Sequence, residues 1–230
     1  MKGSAARGAI TMPIASGHVD DTRSDGAGRV AKRAFDASVA GIGLLLSLPL
    51  WAAIAVAVKV EDGGPVFYSQ DRSGQHGRVF RVHKFRSMIP DAEARVGARQ
   101  ASAGDRRITR VGQWLRATAM DELPQLWSIF RGDMSFVGPR ALRPGEIEVV
   151  GDGRMVALEE VDGYAARSRV VPGLTGVAQI YAPRDVPRRQ KFRYDRVYVR
   201  RQSLALDLRL IALSFWITFR GTWEARGRKF

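Results

Sequence analysis

The 230-residue sequence contains no cysteine and only three histidines. The lack of cysteine excludes disulfide bonds, thiolate metal sites and cysteine nucleophiles, and three scattered histidines argue against a histidine-based metal cage. Acidic residues are also few: 23 Asp and Glu stand against 37 Lys and Arg, which gives a formal net charge of +14. Because 45% of the residues are hydrophobic, the chain is expected to fold. The charge predicts an anionic partner: nucleic acid, a lipid surface or a phosphate-bearing substrate.

Charged side chains are entirely absent from residues 37–58. A helix of this length can cross a hydrocarbon core of about 30 Å. Pro49 lies near its middle, where it removes one backbone hydrogen bond and predicts a kink or break. Basic residues flank the segment on both sides, and the positive-inside rule would draw both ends to the cytoplasm. We therefore predict a re-entrant membrane helix over residues 30–60, broken at Pro49; a spanning anchor and a buried core helix are the alternatives.

The rest of the chain divides into a short tail and one larger domain. Residues 1–29 are rich in Gly, Ala and Ser without sustained periodicity, which predicts a flexible tail. Residues 61–230 predict an α/β fold, mostly α with a few short strands. The elements predicted in this domain are strands in 66–70 and 78–85, solvated helices in 90–104 and 141–170, a helix in 123–130, a tight turn at 172–176 and a basic, aromatic segment at 188–200.

The segment from Leu204 to Phe219 is predicted to be an amphipathic helix. It contains Asp207 and Arg209, which argue against a simple membrane span, and Trp216 and a basic C-terminal stretch fit a helix lying in the membrane interface. Packing against the protein core explains the same pattern equally well.

Two adjacent carboxylates, Asp121 and Glu122, precede a helix that Pro124 is suited to begin. A helix N-terminus stabilises carboxylates and phosphates, and nearby arginines at 110, 116, 131 and 140 could hold phosphate groups. The alternative is that the two acids only start the helix.

Lys84 and Arg86 alternate with apolar residues at the end of the second predicted strand. This pattern suits cations that face a pocket, and it equally suits an edge strand whose charges prevent aggregation.

The ordered motifs of residues 32–221 resemble those of the monotopic phosphoglycosyl transferases, bacterial sugar transferases that start glycan assembly on a polyprenyl phosphate carrier. The motifs that carry the resemblance are Lys32-Arg33-Ala34-Phe35-Asp36, Pro49, Gly64-Pro65-Val66-Phe67, Gln70-Asp71-Arg72-Ser73-Gly74, Lys84-Phe85-Arg86-Ser87-Met88, Thr109-Arg110-Val111-Gly112, Leu115-Arg116, Asp121-Glu122-Leu123-Pro124-Gln125-Leu126, Gly132 to Arg140, Pro172-Gly173-Leu174-Thr175-Gly176 and Ala178-Gln179. Leu48, Ala141 and Val171 depart from the family pattern.

The resemblance implies a monotopic protein of the bacterial inner membrane with its catalytic domain on the cytoplasmic face. It implies transfer of a sugar 1-phosphate from a UDP-sugar to undecaprenyl or another polyprenyl phosphate. By motif, Asp121 would be the nucleophile and a ligand of Mg²⁺, and Glu122 would assist it. The cations implied around the phosphates are Arg116, Arg86, Lys84 and Arg140. Interface-bound helices also allow a homodimer.

A rival from another class is a membrane-anchored protein that binds nucleic acid, supported by the net charge and the basic, aromatic stretch at 188–200. It leaves the Asp-Glu pair without a role, so nucleic acid is not expected as a partner. A lipid phosphatase is a second rival, but the sequence offers it no histidine or cysteine nucleophile.

Overall fold

The computed structural model describes residues 26–92, 105–149, 153–183 and 186–220. Most of the predicted tail and of the predicted helix at 90–104 lies outside these residues. Residues 26–29, predicted as the end of the tail, are instead the first turn of a long helix. This helix continues two residues past the expected end at 60, to Asp62.

The described part of the chain is mostly helical, with short strands between the helices. The helices are α1 (Gly26–Asp62), α2 (Arg110–Ala117), α3 (Gln125–Arg131), α4 (Tyr164–Arg167), α5 (Val177–Tyr181), α6 (Arg188–Arg201) and α7 (Leu204–Phe219). The strands are β1 (Phe67–Ser73), β2 (Val79–Phe85), β3 (Ser135–Val137), β4 (Ile147–Val149), β5 (Met155–Ala157) and β6 (Gly173–Thr175). Strands β1–β2 and β4–β5 pair antiparallel, and β3–β6 pair parallel.

Helix α1 runs through Pro49 without leaving the helical conformation, so the predicted break is not present as an interruption of the helix. Helical residues on both sides of Pro49 are packed against the domain: Ala40 is buried in the first half, and Ile54 and Val58 are buried in the second. These contacts can hold the helix continuous across one missing backbone hydrogen bond. Helix α1 is long and apolar enough to cross a membrane by length and composition.

Small residues allow α1 to lie close to α3. A side chain at Gly41 would meet the ring of Phe130 at 3.3 Å, and one at Gly43 would meet Leu126 at 3.2 Å. The short α3 therefore packs on one side against α1 and on another against the hairpin β1–β2, whose residues Phe80 and Val82 share a core cluster with Leu126.

Two segments differ from their sequence predictions. The stretch 172–176, predicted as a tight turn, contains β6, which pairs with β3 through Ser135 and Gly173. The stretch 141–170, predicted as a surface helix, forms the β4–β5 pair and only the short helix α4. In both cases pairing with a strand distant in sequence or across a turn decides the conformation, which local periodicity does not report.

Helix α7 has the predicted bounds and packs against the core with one side. Asp207, Leu210 and Ile217 are buried, with exposed fractions of 1%, 0% and 0%, whereas Phe215 and Phe219 on the other side are 73% and 87% exposed. One side of α7 therefore packs against the core, as the core alternative expects, and the membrane-interface alternative for its exposed apolar side stays a prediction.

Candidate active site

The Asp-Glu pair lies in a 3₁₀ turn, Met120–Glu122, between α2 and α3. Thr109 caps the start of α2 by accepting a hydrogen bond from the backbone of Gly112, and Pro124 precedes the first residue of α3. Ala119, immediately before the turn, adopts left-handed backbone angles of φ 56° and ψ 17°. A non-glycine residue in this region is strained, and such strain concentrates at functional sites.

Strand β2 brings Lys84 to the turn from a distant part of the sequence. The Lys84 ammonium donates a short hydrogen bond to Oε1 of Glu122, and both side chains are largely withdrawn from solvent, with exposed fractions of 22% and 25%. Lys84 therefore contacts the Asp-Glu turn, which is not the solvent-facing position expected of a charge that protects a sheet edge.

The two carboxyl groups have pKa values shifted in opposite directions. Burial raises the pKa of Asp121 to about 6, although Lys84 and Arg116 act to lower it. Burial also acts to raise the pKa of Glu122, but Lys84 and then Arg140 outweigh it, and the net shift is downward. Glu122 is therefore the well-compensated carboxylate, and Asp121 is the one whose charge is poorly stabilised.

The charges of two arginines from different parts of the chain influence the pair. Arg116, near the end of α2, lowers the pKa of Asp121 through its charge. Arg140, which follows β3, lowers the pKa of Glu122 in the same way. Arg140 is exposed, and its guanidinium makes no hydrogen bond or ion pair within the part of the chain that the structure describes.

The loop that carries Arg140 is held by close backbone contacts. A Cβ atom at Gly138 would lie 2.4 Å from the carbonyl oxygen of Val171, and one at Gly176 would lie 2.2 Å from the carbonyl oxygen of Gly138. Glycine at these positions lets two backbones approach within contact distance. The Gly-Pro-Arg motif is consequently fixed against β6.

Below this loop lies a buried ion pair that sequence reasoning did not identify. Arg167 Nε donates to Asp195 Oδ2 at 2.8 Å, with both side chains less than 7% exposed. Arg167 also donates a short hydrogen bond to the carbonyl oxygen of Arg140 and stacks its guanidinium over the Phe192 ring at 4.9 Å. No sequence signal joins residues 140, 167 and 195, because they meet only in the fold.

Two of the arginines that the sequence predicted near the Asp-Glu pair form ion pairs elsewhere. Arg86 donates from Nη1 to Asp62 at 2.6 Å and from Nε to the carbonyl oxygen of Pro65 at 2.5 Å, and it is only 6% exposed. Its guanidinium therefore joins the end of α1 to the end of β2 instead of lying beside Asp121. Arg131 pairs with Asp133 at 3.4 Å on the surface.

Asp121 and Glu122 are the carboxylates of the site that could hold a metal ion. Among the described residues, no group of three or more His, Cys, Asp or Glu could hold an ion. Magnesium ions in phosphate-handling sites, however, often use one or two carboxylates together with substrate phosphates. The adjacent carboxyls of Asp121 and Glu122 supply the two carboxylates of that smaller requirement.

Comparison with known proteins places this site in a family. Residues 27–221 match the family model described as bacterial sugar transferase. The chain is 42% identical over 190 residues to undecaprenyl-phosphate glucose phosphotransferase of Komagataeibacter xylinus, covering 80% of this chain but 35% of that protein. It is 39% identical over 198 residues to the exopolysaccharide production protein ExoY of Rhizobium meliloti strain 1021, covering 80% and 83%.

A third relative is UDP-glucose:undecaprenyl-phosphate glucose-1-phosphate transferase of Escherichia coli strain K12, 38% identical over 204 residues, with 86% of this chain and 42% of that protein covered. The chain thus spans well under half the length of two of these relatives and most of ExoY. The family match covers α1 and every described element after it, including the turn that carries Asp121 and Glu122. The chain therefore belongs to the bacterial sugar transferase family.

Proposed function

We propose that the protein is a phosphoglycosyl transferase that moves a sugar 1-phosphate from a UDP-sugar to undecaprenyl phosphate or another polyprenyl phosphate. This step would initiate an exopolysaccharide, capsule, O-antigen or glycoprotein glycan. The observation that carries the proposal is the Asp121-Glu122 turn, with Lys84 bonded to it and Arg116 and Arg140 acting on it electrostatically. The names of the relatives, which include undecaprenyl-phosphate sugar transferases, support both substrates.

In the first half-reaction, a carboxylate oxygen of Asp121 attacks the sugar-bearing phosphorus of the donor. A phosphorus–oxygen bond forms to Asp121 as the bond to the bridging oxygen breaks, and uridine monophosphate leaves with the electron pair. With its pKa raised only to about 6, Asp121 is mostly ionised at neutral pH. Its charge is poorly stabilised by its surroundings, which favours nucleophilic attack.

In the second half-reaction, a phosphate oxygen of the polyprenyl phosphate attacks the phosphorus held on Asp121. The new bond releases the Asp121 carboxylate and gives the polyprenyl diphosphosugar. Glu122 keeps Lys84 beside the reacting phosphorus through their ion pair. Its lowered pKa favours this positioning role over proton uptake.

Magnesium is the proposed metal ion, with Asp121 as its protein ligand. When bound, it neutralises phosphate charge, which would otherwise repel an attacking carboxylate. The positive charges of Lys84, Arg116 and Arg140 also neutralise phosphate charge. The two arginines can in addition bind phosphate oxygens with two N–H groups at once.

The contacts at the two ends of α1 support a re-entrant or in-plane helix over a spanning one. Near the N-terminus, Lys32 Nζ donates to Asp207 at 2.6 Å, and near the C-terminus Glu61 accepts from the backbone of Arg110 at 2.7 Å. Both ends are thus bonded to the same folded domain. A spanning α1 would place this polar domain inside the bilayer, which is costly. We place the domain on the cytoplasmic face of the inner membrane.

The Asp121→Asn variant tests the nucleophile. With labelled UDP-sugar, magnesium and polyprenyl phosphate, the wild-type protein is expected to transfer label into the lipid extract and release uridine monophosphate. Asp121→Asn is expected to lose at least about a thousandfold in rate, because an amide oxygen is a far weaker nucleophile. A panel of UDP-glucose, UDP-galactose and UDP-N-acetylglucosamine identifies the donor.

Two controls make that result specific. Membrane association of Asp121→Asn should equal that of the wild-type protein, and a quenched reaction without acceptor should leave the mass of a sugar phosphate on the wild-type peptide that contains Asp121. Wild-type turnover by Asp121→Asn would rule out the nucleophile assignment.

A further inference from the structure

An arginine at the end of β1 has no role in the mechanism above. Arg72 is half-buried and donates from Nη1 to the carbonyl oxygen of Ala141 at 3.1 Å and from Nη2 to Oε1 of Gln70 at 2.5 Å. The next residue, Ser73, donates its backbone N–H to the carbonyl oxygen of Leu142 at 2.8 Å. The end of β1 is therefore joined to the segment directly after Arg140.

Positive charges gather at this junction. The pKa of Arg72 is lowered to about 10, first by burial and then by the charges of Arg140 and Arg143, while Glu146 acts in the opposite direction. In the described part of the chain, neither Arg72 nor Arg140 forms an ion pair with a carboxylate. Repulsion between these arginines, which Glu146 opposes, makes the junction suited to bind an anion.

The position of this pair relative to the catalytic carboxylates suggests which anion it binds. Arg72 bonds to the carbonyl oxygen of Ala141, the residue directly after Arg140, and the charge of Arg140 lowers the pKa of Glu122 in the catalytic turn. The end of β1 is therefore bonded next to the arginine whose charge reaches that turn. In a nucleoside diphosphate sugar, the two phosphorus atoms share one bridging oxygen. A donor whose sugar-bearing phosphorus is at Asp121 must therefore hold its other phosphate close by.

We propose that Arg72 and Arg140 together bind the phosphate of the nucleoside monophosphate half of the donor, with Arg72 donating two N–H groups to it. This inference rests on the proposed function for the identity of the donor. The bound group is a nucleoside phosphate, and it is the part of the donor that leaves when the bond to the bridging oxygen breaks.

The chemistry of the leaving group gives Arg72 an effect on rate as well as on binding. As the phosphorus–oxygen bond breaks, its electron pair stays on the nucleoside monophosphate, whose phosphate gains negative charge. A guanidinium fixed by Gln70 and the Ala141 carbonyl stabilises that charge without having to reorganise. Removing it should thus lower kcat in addition to raising the donor KM.

The test measures inhibition by uridine monophosphate and by uridine, which lacks the phosphate. Arg72→Gln is expected to weaken inhibition by uridine monophosphate at least about tenfold, the usual loss for a charge-assisted hydrogen bond. Inhibition by uridine and the KM for polyprenyl phosphate should stay unchanged. Arg78→Gln, an exposed arginine in the β1–β2 turn, removes the same charge and should leave all three constants unchanged.

Two results would overturn the proposal. One is unchanged inhibition by uridine monophosphate in Arg72→Gln; the other is an equal loss for uridine and uridine monophosphate, which would indicate a structural role for Arg72. Should Arg72→Gln not fold, Arg72→Lys decides, because lysine keeps the charge but not the two-pronged donor. Wild-type affinity for uridine monophosphate in Arg72→Lys would then refute the proposal.

A binding measurement separates this proposal from the proposed function. Calorimetry can measure the binding of uridine monophosphate to the wild-type protein and to the Arg72→Gln variant. This measurement requires no turnover. If lipid-linked product is never formed but Arg72→Gln weakens uridine monophosphate binding, the transferase proposal fails and the Arg72 site stands. If transfer occurs and binding does not depend on Arg72, the Arg72 site alone fails.

Discussion

Asp121 and Glu122 are adjacent in the sequence, but their surroundings give them different properties. Burial raises the pKa of Asp121, while Lys84 and Arg140 lower that of Glu122 against the effect of burial. Two neighbouring acids with opposite shifts suit a nucleophile and a positioning group. The difference arises because Lys84 forms a hydrogen-bonded ion pair with Glu122. The Lys84 charge also lowers the pKa of Asp121, but the described residues show no hydrogen bond between these two side chains.

The ion pair between Asp62 and Arg86 makes stability depend on pH. The hydrogen bonds from Arg86 are the main reason that the pKa of Asp62 falls from 3.8 to about 2. A lowered folded-state pKa means that the stabilisation is present above the unfolded-state pKa and is lost as pH falls through about 2. The destabilisation caused by Asp62→Asn, measured by thermal unfolding in detergent, should thus be full at pH values near 7 and shrink below about pH 4.

Asp71→Asn is the matched control for that experiment, because Asp71 is exposed on β1 and forms no ion pair within the described residues. It should change the unfolding temperature little at either pH. A destabilisation by Asp62→Asn that stays constant down to pH 2 would show that the ion pair with Arg86 does not contribute.

The strained Ala119 offers a test of how the catalytic turn is held. Its φ of 56° suits glycine, so Ala119→Gly should increase the free energy of unfolding by up to about 1 kcal/mol. Ala119→Val should destabilise the protein and reduce transfer, because a β-branched residue resists this conformation and displaces Asp121. Ala117→Gly, on the exposed end of α2, should show the opposite sign, a loss of about 1 kcal/mol. Equal effects of glycine at both positions would contradict the strain argument.

At the scale of elements, α4 and α6 support the loop that carries Arg140. Arg167 of α4 bonds to Asp195 of α6 and to the carbonyl oxygen of Arg140. One buried side chain thus links two helices to a residue in the active site. A buried pair of this kind is sensitive to loss of one partner, because the other charge is left without compensation.

Replacing one or both partners of the Arg167–Asp195 pair distinguishes its effect on protein stability from its effect on the position of the Arg140 loop. Asp195→Ala should cost about 3–5 kcal/mol of unfolding free energy, because it leaves the Arg167 charge buried and unpaired. The double variant Arg167→Met, Asp195→Leu should recover much of that loss. It should not recover transfer activity, since the bond to the Arg140 carbonyl is still missing. Chemical unfolding and kcat/KM for the donor check the two expectations, and full activity in the double variant would exclude the positioning role.

Across the described part of the molecule, many of the exposed apolar side chains lie on α1, α3 and α7. On α1, Leu45 and Leu46 are 70% and 77% exposed, and on α3 the stacked rings of Trp127 and Phe130 are about half exposed. The outward side of α7 adds further aromatic surface. Large exposed apolar surfaces of this kind mark contact with a membrane or partner. Together with the net charge of +14, they fit a domain resting on an anionic leaflet.

The membrane topology can be tested cleanly because the sequence contains no cysteine. Single substitutions Val30→Cys and Val60→Cys lie near the two ends of α1, where both side chains are at least 69% exposed. A membrane-impermeant maleimide should label both from the cytoplasmic side and neither from the periplasmic side. Leu46→Cys, in the middle of the apolar run, should resist the aqueous reagent as an internal control. Labelling of the two ends from opposite sides would establish a spanning helix.

The sequence by itself determined the elements whose signal is local. Charge-free residues 37–58 predicted a long apolar helix, and the ordered motifs predicted the bacterial sugar transferase family, which the family match confirms. Alternating residues predicted β1 and β2, and the periodicity of 204–219 predicted α7. These predictions succeed because hydrophobic periodicity and short motifs depend on neighbouring residues alone.

Only the tertiary structure decided which charged side chains meet. Lys84 and Arg86 are two residues apart on β2, yet Lys84 bonds to Glu122 and Arg86 to Asp62. Likewise, Arg72 came near Arg140 only through the pairing of the end of β1 with the segment after residue 140. Ion pairs depend on distances between residues far apart in the chain, and burial sets how strongly they act. The sequence therefore supplied the chemical groups of the site, and the packing of α1, β1, β2 and the loop after β3 selected which of them act together.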